Sequence, residues 1–323
     1  MIRTKSVFGL CATRVMSWLG VLAPLLPCVL LAVTALAEDS ASRVAGAYPR
    51  KELLIEAREI PSGKPSSRVI LDTRDRAKYL EGHIPQAVWV DAASWAQAVK
   101  EDQDAANWTR RFAEVGINDM SEVIIYDDQR LRSAARTWWI LRLWGVAKTR
   151  ILNGAWDGYV EASLPVETGA GQTPAPGNVV ATRQQKALAT KELLLSKHRS
   201  GQLGGETGDF LQVIDTRSKG EYCGTEPSRA KRTGSIPGSK HLEWSDLLVP
   251  DSSRLKSVDE LRSLFAEAGI NVEKPAATFC QGGGRASVMV FGLELMGSPE
   301  ARNYYPGWGE WGNDDATPVD RPE

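Results

Sequence analysis

Two short apolar runs, each closed by the same polar triplet, set the rhythm of the chain. Val69-Ile70-Leu71-Asp72-Thr73-Arg74 reads as a buried strand running into a polar turn, and Val213-Ile214-Asp215-Thr216-Arg217 repeats it. Each is followed by a Gly-x-Ile-Pro turn, Gly82-His83-Ile84-Pro85 in the first copy and Gly234-Ser235-Ile236-Pro237 in the second. The second copy is longer between strand and turn, and the extra residues, around Glu226 to Thr233, include Arg229, Lys231 and Arg232. A third pair of strands, Val123 to Tyr126 and Ala276 to Phe279, leads through a loop into a helix in each copy. The first of these helices is predicted near Ala134 to Trp144, stopping at Gly145. The second is predicted near Ala286 to Met296, with Gly297 and Pro299 as terminators. Helical periodicity also marks Ser94 to Lys100, Thr109 to Val115 and Ser257 to Ala268.

Strands alternating with helices predict an α/β fold, here two homologous doubly wound domains with mostly parallel central sheets. The predicted domains span 50–166 and 190–323, joined by a linker over 167–189 whose first part is rich in Gly, Thr and Pro. In such sheets, ligands bind where loops leave the carboxyl ends of the strands.

Residues 1–37 stand outside this pattern. Arg3, Lys5 and Arg14 precede an almost wholly apolar stretch from Trp18 to Thr34, and Ala35-Leu36-Ala37 supplies a small-x-small cleavage signal. The segment reads as a secretory signal peptide, with an uncleaved anchor as the alternative, and predicts an exported, periplasmic or extracytoplasmic protein. No second hydrophobic span follows, so no membrane span is expected after its removal. Cleavage takes away three cations and no anion, moving the net charge from −1 to −4. That balance argues against a nucleic-acid partner. With 42% apolar residues the chain is too hydrophobic for disorder. Beyond the leader only Cys223 and Cys280 remain, and the three histidines are scattered, so no metal site is expected.

The chemistry concentrates after Phe279. Cys280-Gln281-Gly282-Gly283-Gly284-Arg285 places a cysteine between a buried strand and the start of a helix, beside unpaired backbone N–H groups. Three consecutive glycines let several N–H vectors converge on an anion. In such surroundings cysteine pKa values fall from ~8.5 to roughly 3.5–7.5, which makes the thiolate a nucleophile without a histidine base. Arg285 adds a cation that either holds an anionic donor or braces the loop. In the first copy the corresponding position is Asp127, in a charged loop running to Arg132. An aspartate lacks a thiol nucleophile, and its charge is expected to work against an anion nest.

The two Asp-Thr-Arg strands, the Gly-x-Ile-Pro turns, the Cys-x4-Arg loop and the terminal Gly307-Trp308-Gly309-Glu310-Trp311 together resemble a tandem-domain rhodanese, the thiosulfate sulfurtransferase family. The resemblance runs from about Val69 to Trp311. It implies a non-catalytic first domain and a second that carries the nucleophile, Cys280. It further implies that Cys280 takes sulfur from a small-molecule donor, holds it as a covalent persulfide with no other cofactor, and passes it to cyanide or a thiol. The N–H groups of Gln281, Gly282, Gly283, Gly284 and Arg285 then stabilise the terminal sulfur. Arg229, Lys231 and Arg232 are candidates for an anion-attracting rim, with a solvated charged turn as an equal alternative. Asp215 with Arg217, and Asp72 with Arg74, are expected as loop-bracing ion pairs. Glu310 is expected to accept hydrogen bonds from loop backbone, and Trp138, Trp139, Trp308 and Trp311 to fill the core.

Some positions depart from the family pattern. Glu221 stands where some members carry an arginine that contacts the donor, and Ser235 where histidine is common, although the first copy keeps His83. Tyr305-Pro306-Gly307 replaces the usual acidic residue and glycine pair, and the Gln-Gly-Gly-Gly loop lacks an internal cation. The donor is therefore open between thiosulfate, 3-mercaptopyruvate and a persulfide. Two further readings compete: thiol–disulfide redox work by Cys223 and Cys280, and a non-catalytic binding module. Phosphatase or arsenate-reductase chemistry, which related domains run on a Cys-x5-Arg loop, is disfavoured because the loop here is one residue shorter.

Overall fold

The computed structural model describes residues 46–60, 67–205 and 210–322, so the leader read from residues 1–37 lies outside them. Two all-parallel sheets organise the chain. The first comprises β1 (Leu54–Ile55), β2 (Arg68–Asp72), β3 (Val88–Trp89), β4 (Glu122–Tyr126) and β5 (Thr149–Leu152), in the spatial order β1-β5-β4-β2-β3. The second comprises β6 (Gln212–Asp215), β7 (Lys240–His241), β8 (Ala276–Phe279) and β9 (Ala301–Asn303), in the order β7-β6-β8-β9. In register, Asp72 lies opposite Tyr126 and Asp215 opposite Phe279, so the repeated triplet sits beside the end of the neighbouring strand in both sheets. The central strands β6 and β8 are buried along their whole length, as expected where helices cover both faces of a parallel sheet.

The helices are α1 (Arg76–Glu81), α2 (Ala92–Glu101), α3 (Ala105–Glu114), α4 (Arg132–Leu143), α5 (Ala155–Glu161), α6 (Lys191–Arg199), α7 (Lys219–Cys223), α8 (Val258–Glu267), α9 (Gly284–Leu295) and α10 (Trp308–Trp311). Their starts follow local chemistry. The Asp91 and Asp104 carboxylates accept from backbone N–H groups at the head of α2 and α3, and Ser257 with Glu260 forms a capping box on α8. Both α4 and α9 begin two residues before their predicted starts. In α4 the Asp127 carboxylate takes up first-turn N–H groups, and in α9 Gly283 supplies a left-handed cap at φ 79°.

The helices α4 and α9 join the halves. Arg136 meets Gly284 near their starts, the Trp138 and Phe291 rings meet edge-on at 5.0 Å, and Arg142 reaches Glu294 at 2.9 Å near their ends. Glu294 also accepts Arg50 at 2.9 Å. Both helices thus start at one end of the molecule, where β4 and β8 finish. A single apolar cluster runs through both halves, from Leu71, Trp108 and Trp138 to Ile214, Leu261 and Phe291. Such a shared core makes the halves one packed body rather than two tethered ones. The segment over 167–189 lies on the first half: Glu167 bridges His83, Gly177 bonds Ala113, and Thr182 bonds Trp144 before Leu188 pairs with Asn303.

Candidate active site

The Asp-Thr-Arg triplets do the same work in each half. The Arg217 guanidinium donates to Asp215 at 2.9 and 2.5 Å and to the Gly234 carbonyl at 2.7 Å. Arg74 donates to Asp72 at 3.0 and 2.6 Å and to the Gly82 carbonyl at 2.6 Å. Each arginine therefore ties its strand to the following Gly-x-Ile-Pro turn. The intervening threonine ties it to the strand that carries the loop: Thr73 donates to the Tyr126 carbonyl at 2.9 Å and Thr216 to that of Phe279 at 3.0 Å. Arg217 lies 4.7 Å over the Trp308 ring, which makes α10 part of the same brace.

The loop from Cys280 to Gly283 is held from its carbonyl side. Trp308 N–H donates to the Cys280 carbonyl at 2.8 Å and Gly309 N–H to that of Gln281 at 3.0 Å. Asn303 and Ser287 both donate to the Gly283 carbonyl, at 3.1 and 2.8 Å. Gly307, at φ 59°, permits the first of these clamps, because a Cβ there would overlap the Cys280 carbonyl. With three of its four carbonyls taken, the loop keeps its N–H groups in reserve. Among the described residues none of the N–H groups of Gln281, Gly282, Gly283 and Gly284 is bonded to a protein acceptor.

The first half builds the same nest and fills it. The Asp127 carboxylate, fully buried, accepts from the N–H groups of Leu131 at 3.1 Å, Ser133 at 2.8 Å and Ala134 at 3.0 Å. The expectation that an aspartate works against an anion nest is corrected: its carboxylate is the nest's anion. Burial pushes the carboxyl above its usual range, against the pull of those N–H groups. Arg130 and Leu131 adopt positive φ (56° and 64°) so that the chain can wrap it.

The rhodanese-like domain pattern matches the chain twice, over residues 56–162 and 202–314. The chain belongs to the rhodanese family. A 3-mercaptopyruvate sulfurtransferase of Escherichia coli strain K12 is 30% identical over 273 residues, covering 83% of this chain and 91% of that protein. A thiosulfate sulfurtransferase of Azotobacter vinelandii is 30% identical over 280 residues, covering 83% and 97%. Among solved structures, SseA from Escherichia coli matches with a TM-score of 0.68 at 25% identity, covering 79% of this chain and 98% of that one.

The two rhodanese-like halves enclose a cleft of about 1570 Å³, lined by Cys280, Gln281, Gly282, Gly284, Arg285, Tyr305 and Glu310 on one side and by Trp89, Arg132, Arg136 and Arg183 on the other. Cys280 is 2% exposed and, like Cys223, carries a free thiol. Of the three rim cations, Arg229 alone lines this cleft. Arg232 is corrected to a structural role: it donates to the carbonyls of Trp311 at 2.8 Å and Thr317 at 2.7 Å, fastening the carboxyl-terminal segment. Lys231 is likewise removed from the rim, since its exposed turn is fixed to Asn313 through the backbone, away from the cleft lining. Glu310 accepts from the Tyr304 hydroxyl at 2.6 Å, a side-chain donor in place of the expected loop backbone.

Arg285 spends its charge on Glu221, through bonds of 2.5 and 3.0 Å. Burial opposes both charges. The hydrogen bonds and charge of Arg285 outweigh it and hold the Glu221 carboxyl below its usual range, while Glu221 and Cys280 keep the guanidinium firmly protonated. Glu221 is the residue that departs from the family pattern, and its partner accounts for it. A depressed carboxyl pKa stabilises the fold above the unfolded-state value and loses that contribution as pH falls through the folded one. Glu221→Gln is therefore expected to cost about 2 kcal/mol at neutral pH. The gap to the native protein should close below about pH 4, which thermal melts across pH 3–7 would read.

Asn303, Ser287, Tyr305 and Arg136 complete the surroundings of the loop without any signal in the sequence motif. Tyr305 stacks on Trp139 with centroids 4.8 Å apart and donates to the Ala96 carbonyl at 3.0 Å, binding the site to the first half. Burial pushes its phenol up to about 12, with Arg136 pulling the other way.

Proposed function

We propose that this sulfurtransferase takes sulfane sulfur from thiosulfate onto Cys280 and delivers it to a thiophilic acceptor, cyanide or a thiol. The observation that carries the reading is Cys280 on a cleft, at the end of a buried strand, beside four N–H groups that no acceptor among the described residues uses. The Cys280 thiolate attacks the outer sulfur of thiosulfate. A sulfur–sulfur bond forms, the donor's own sulfur–sulfur bond breaks, and sulfite leaves with the electron pair. The charge then resides on the terminal persulfide sulfur, where the N–H groups of Gln281 to Gly284 stabilise it as they would an oxyanion. Cyanide attacks that sulfur, thiocyanate departs and the thiolate returns, a ping-pong cycle in which charge balances at each step.

The similarity to a 3-mercaptopyruvate sulfurtransferase favours a second donor of the same mechanism, with pyruvate in place of sulfite as the product. The leader over 1–37 supports placing the reaction outside the cytoplasm. Intact-mass measurement after incubation with each donor separates the readings. A gain of one sulfur atom from thiosulfate, removed by cyanide, is the expected result. A gain from 3-mercaptopyruvate alone changes the donor, and no gain from either overturns sulfur transfer.

A further inference from the structure

Several cations near the Cys280 loop are already engaged. Arg285 is bound to Glu221, Arg217 to Asp215, and Lys191 to Asp314 at 2.7 Å. On the facing wall Arg74 is bound to Asp72, and Arg132 donates to Gln129 at 3.0 Å. Arg136 is set apart by its place: it projects from α4 of the first half onto the loop. Like that of Arg183 on the same wall, its Nε is buried without a hydrogen-bond acceptor, and among the described residues no anion pairs with it. Its guanidinium lies against Gly284: a Cβ on that residue would overlap a terminal nitrogen and stand 2.8 Å from Cζ. Tyr305 packs beside it against Gly283, with its ring on Trp139 one turn along α4. The glycine run thus serves a second purpose, letting a guanidinium from the other half reach the backbone of the loop.

We propose that Arg136, carried by the first half, holds the anionic end of the sulfur donor over the Cys280 loop. The inference rests on the sulfur-transfer reading and names the group that recognises its substrate. A thiolate and an anionic donor repel one another, and a cation that is already neutralised, as Arg285 is, does little to relieve that. Arg136 is partly buried and unpaired, so its charge acts in a weakly screened setting. Its planar fork suits a sulfonate or carboxylate bound through two parallel N–H bonds. The first half then contributes a specificity-determining residue to a reaction whose nucleophile belongs to the second.

The test compares Arg136→Gln and Arg136→Lys with the native chain, using two reagents of similar size and different charge. Alkylation by iodoacetate and by iodoacetamide is followed on the Cys280 peptide, apart from the free thiol of Cys223, and the ratio of the two rates reads the cation independently of whether sulfur transfer occurs. Arg136→Gln is expected to lower that ratio about 10-fold and to raise the thiosulfate KM about 10-fold, with kcat changed by less than about 3-fold. Arg136→Lys should restore most of the ratio but less of the KM, since it returns the charge without the fork. An unchanged ratio in folded Arg136→Gln overturns the proposal, as does a fall in both alkylation rates together, which would mark a packing role. If no donor loads Cys280 while the ratio still falls, the anion site stands and the sulfur-transfer reading fails.

Discussion

Replacing Cys280 by serine is expected to abolish sulfur loading and to lower thiocyanate formation about 10⁴-fold or more. The substitution exchanges sulfur for oxygen and leaves the rest of the loop as it was. The clamps from Trp308 and Gly309 grip the carbonyls of Cys280 and Gln281, and the four reserved N–H groups belong to the backbone, so neither depends on the side chain. What disappears is the nucleophile. A serine hydroxyl stays protonated at neutral pH, and among the described residues no histidine lines the cleft to activate it. Its oxygen cannot hold a transferable sulfur atom. The melting temperature should therefore move by the equivalent of less than about 1 kcal/mol while turnover is lost. Intact mass and thermal melting on the same preparation check both halves of this expectation. Turnover retained in the serine variant would place the sulfur carrier elsewhere in the chain.

The two sheets could be read from the sequence because parallel strands buried on both faces appear as unbroken apolar runs. Val123-Ile124-Ile125-Tyr126 and Val213-Ile214 are such runs, the first leading into the Asp127 loop and the second into the Asp-Thr-Arg turn. The Cys280 loop was legible for a related reason: a cysteine, three glycines and a helix start are contiguous, so their chemistry survives without knowledge of the fold. The very short strands were not legible. Leu54–Ile55 and Lys240–His241 span two residues each, and pairing with a neighbour defines them rather than any pattern of their own. Arg136, Tyr305 and Asn303 were hidden for a deeper reason. Each reaches the loop from another element, Arg136 from the other half, and a residue's distance in space leaves no trace in its local sequence. The three rim candidates divide for the opposite reason. Arg229, Lys231 and Arg232 look alike as a charge cluster, yet Arg232 turns inward to carbonyls while Arg229 lines the cleft.

Asp127, unlike Cys280, carries a large expected effect on stability. Its carboxylate serves three backbone N–H groups in a fully buried loop whose residues Arg130 and Leu131 are held at positive φ. Asp127→Ala leaves those donors without an acceptor and is expected to cost about 3–6 kcal/mol, taking about 1–3 kcal/mol for each unsatisfied group and allowing for relaxation. Asp127→Asn should fall between the native protein and the alanine variant. Its amide oxygen can still accept, whereas its nitrogen must face an N–H that needs an acceptor. The pH dependence distinguishes this account from a simple loss of packing. Burial holds the native carboxyl above its usual range, so folding favours the protonated form, and native stability declines as pH rises from the unfolded-state value through the folded one. Neither variant carries that group. The gap between native and alanine proteins should therefore be widest in acid and narrow toward neutral pH, the reverse of the trend expected for Glu221→Gln. Chemical denaturation at several pH values measures both trends. A gap that widens with pH would mean that the backbone N–H groups, rather than burial, govern the charge on Asp127.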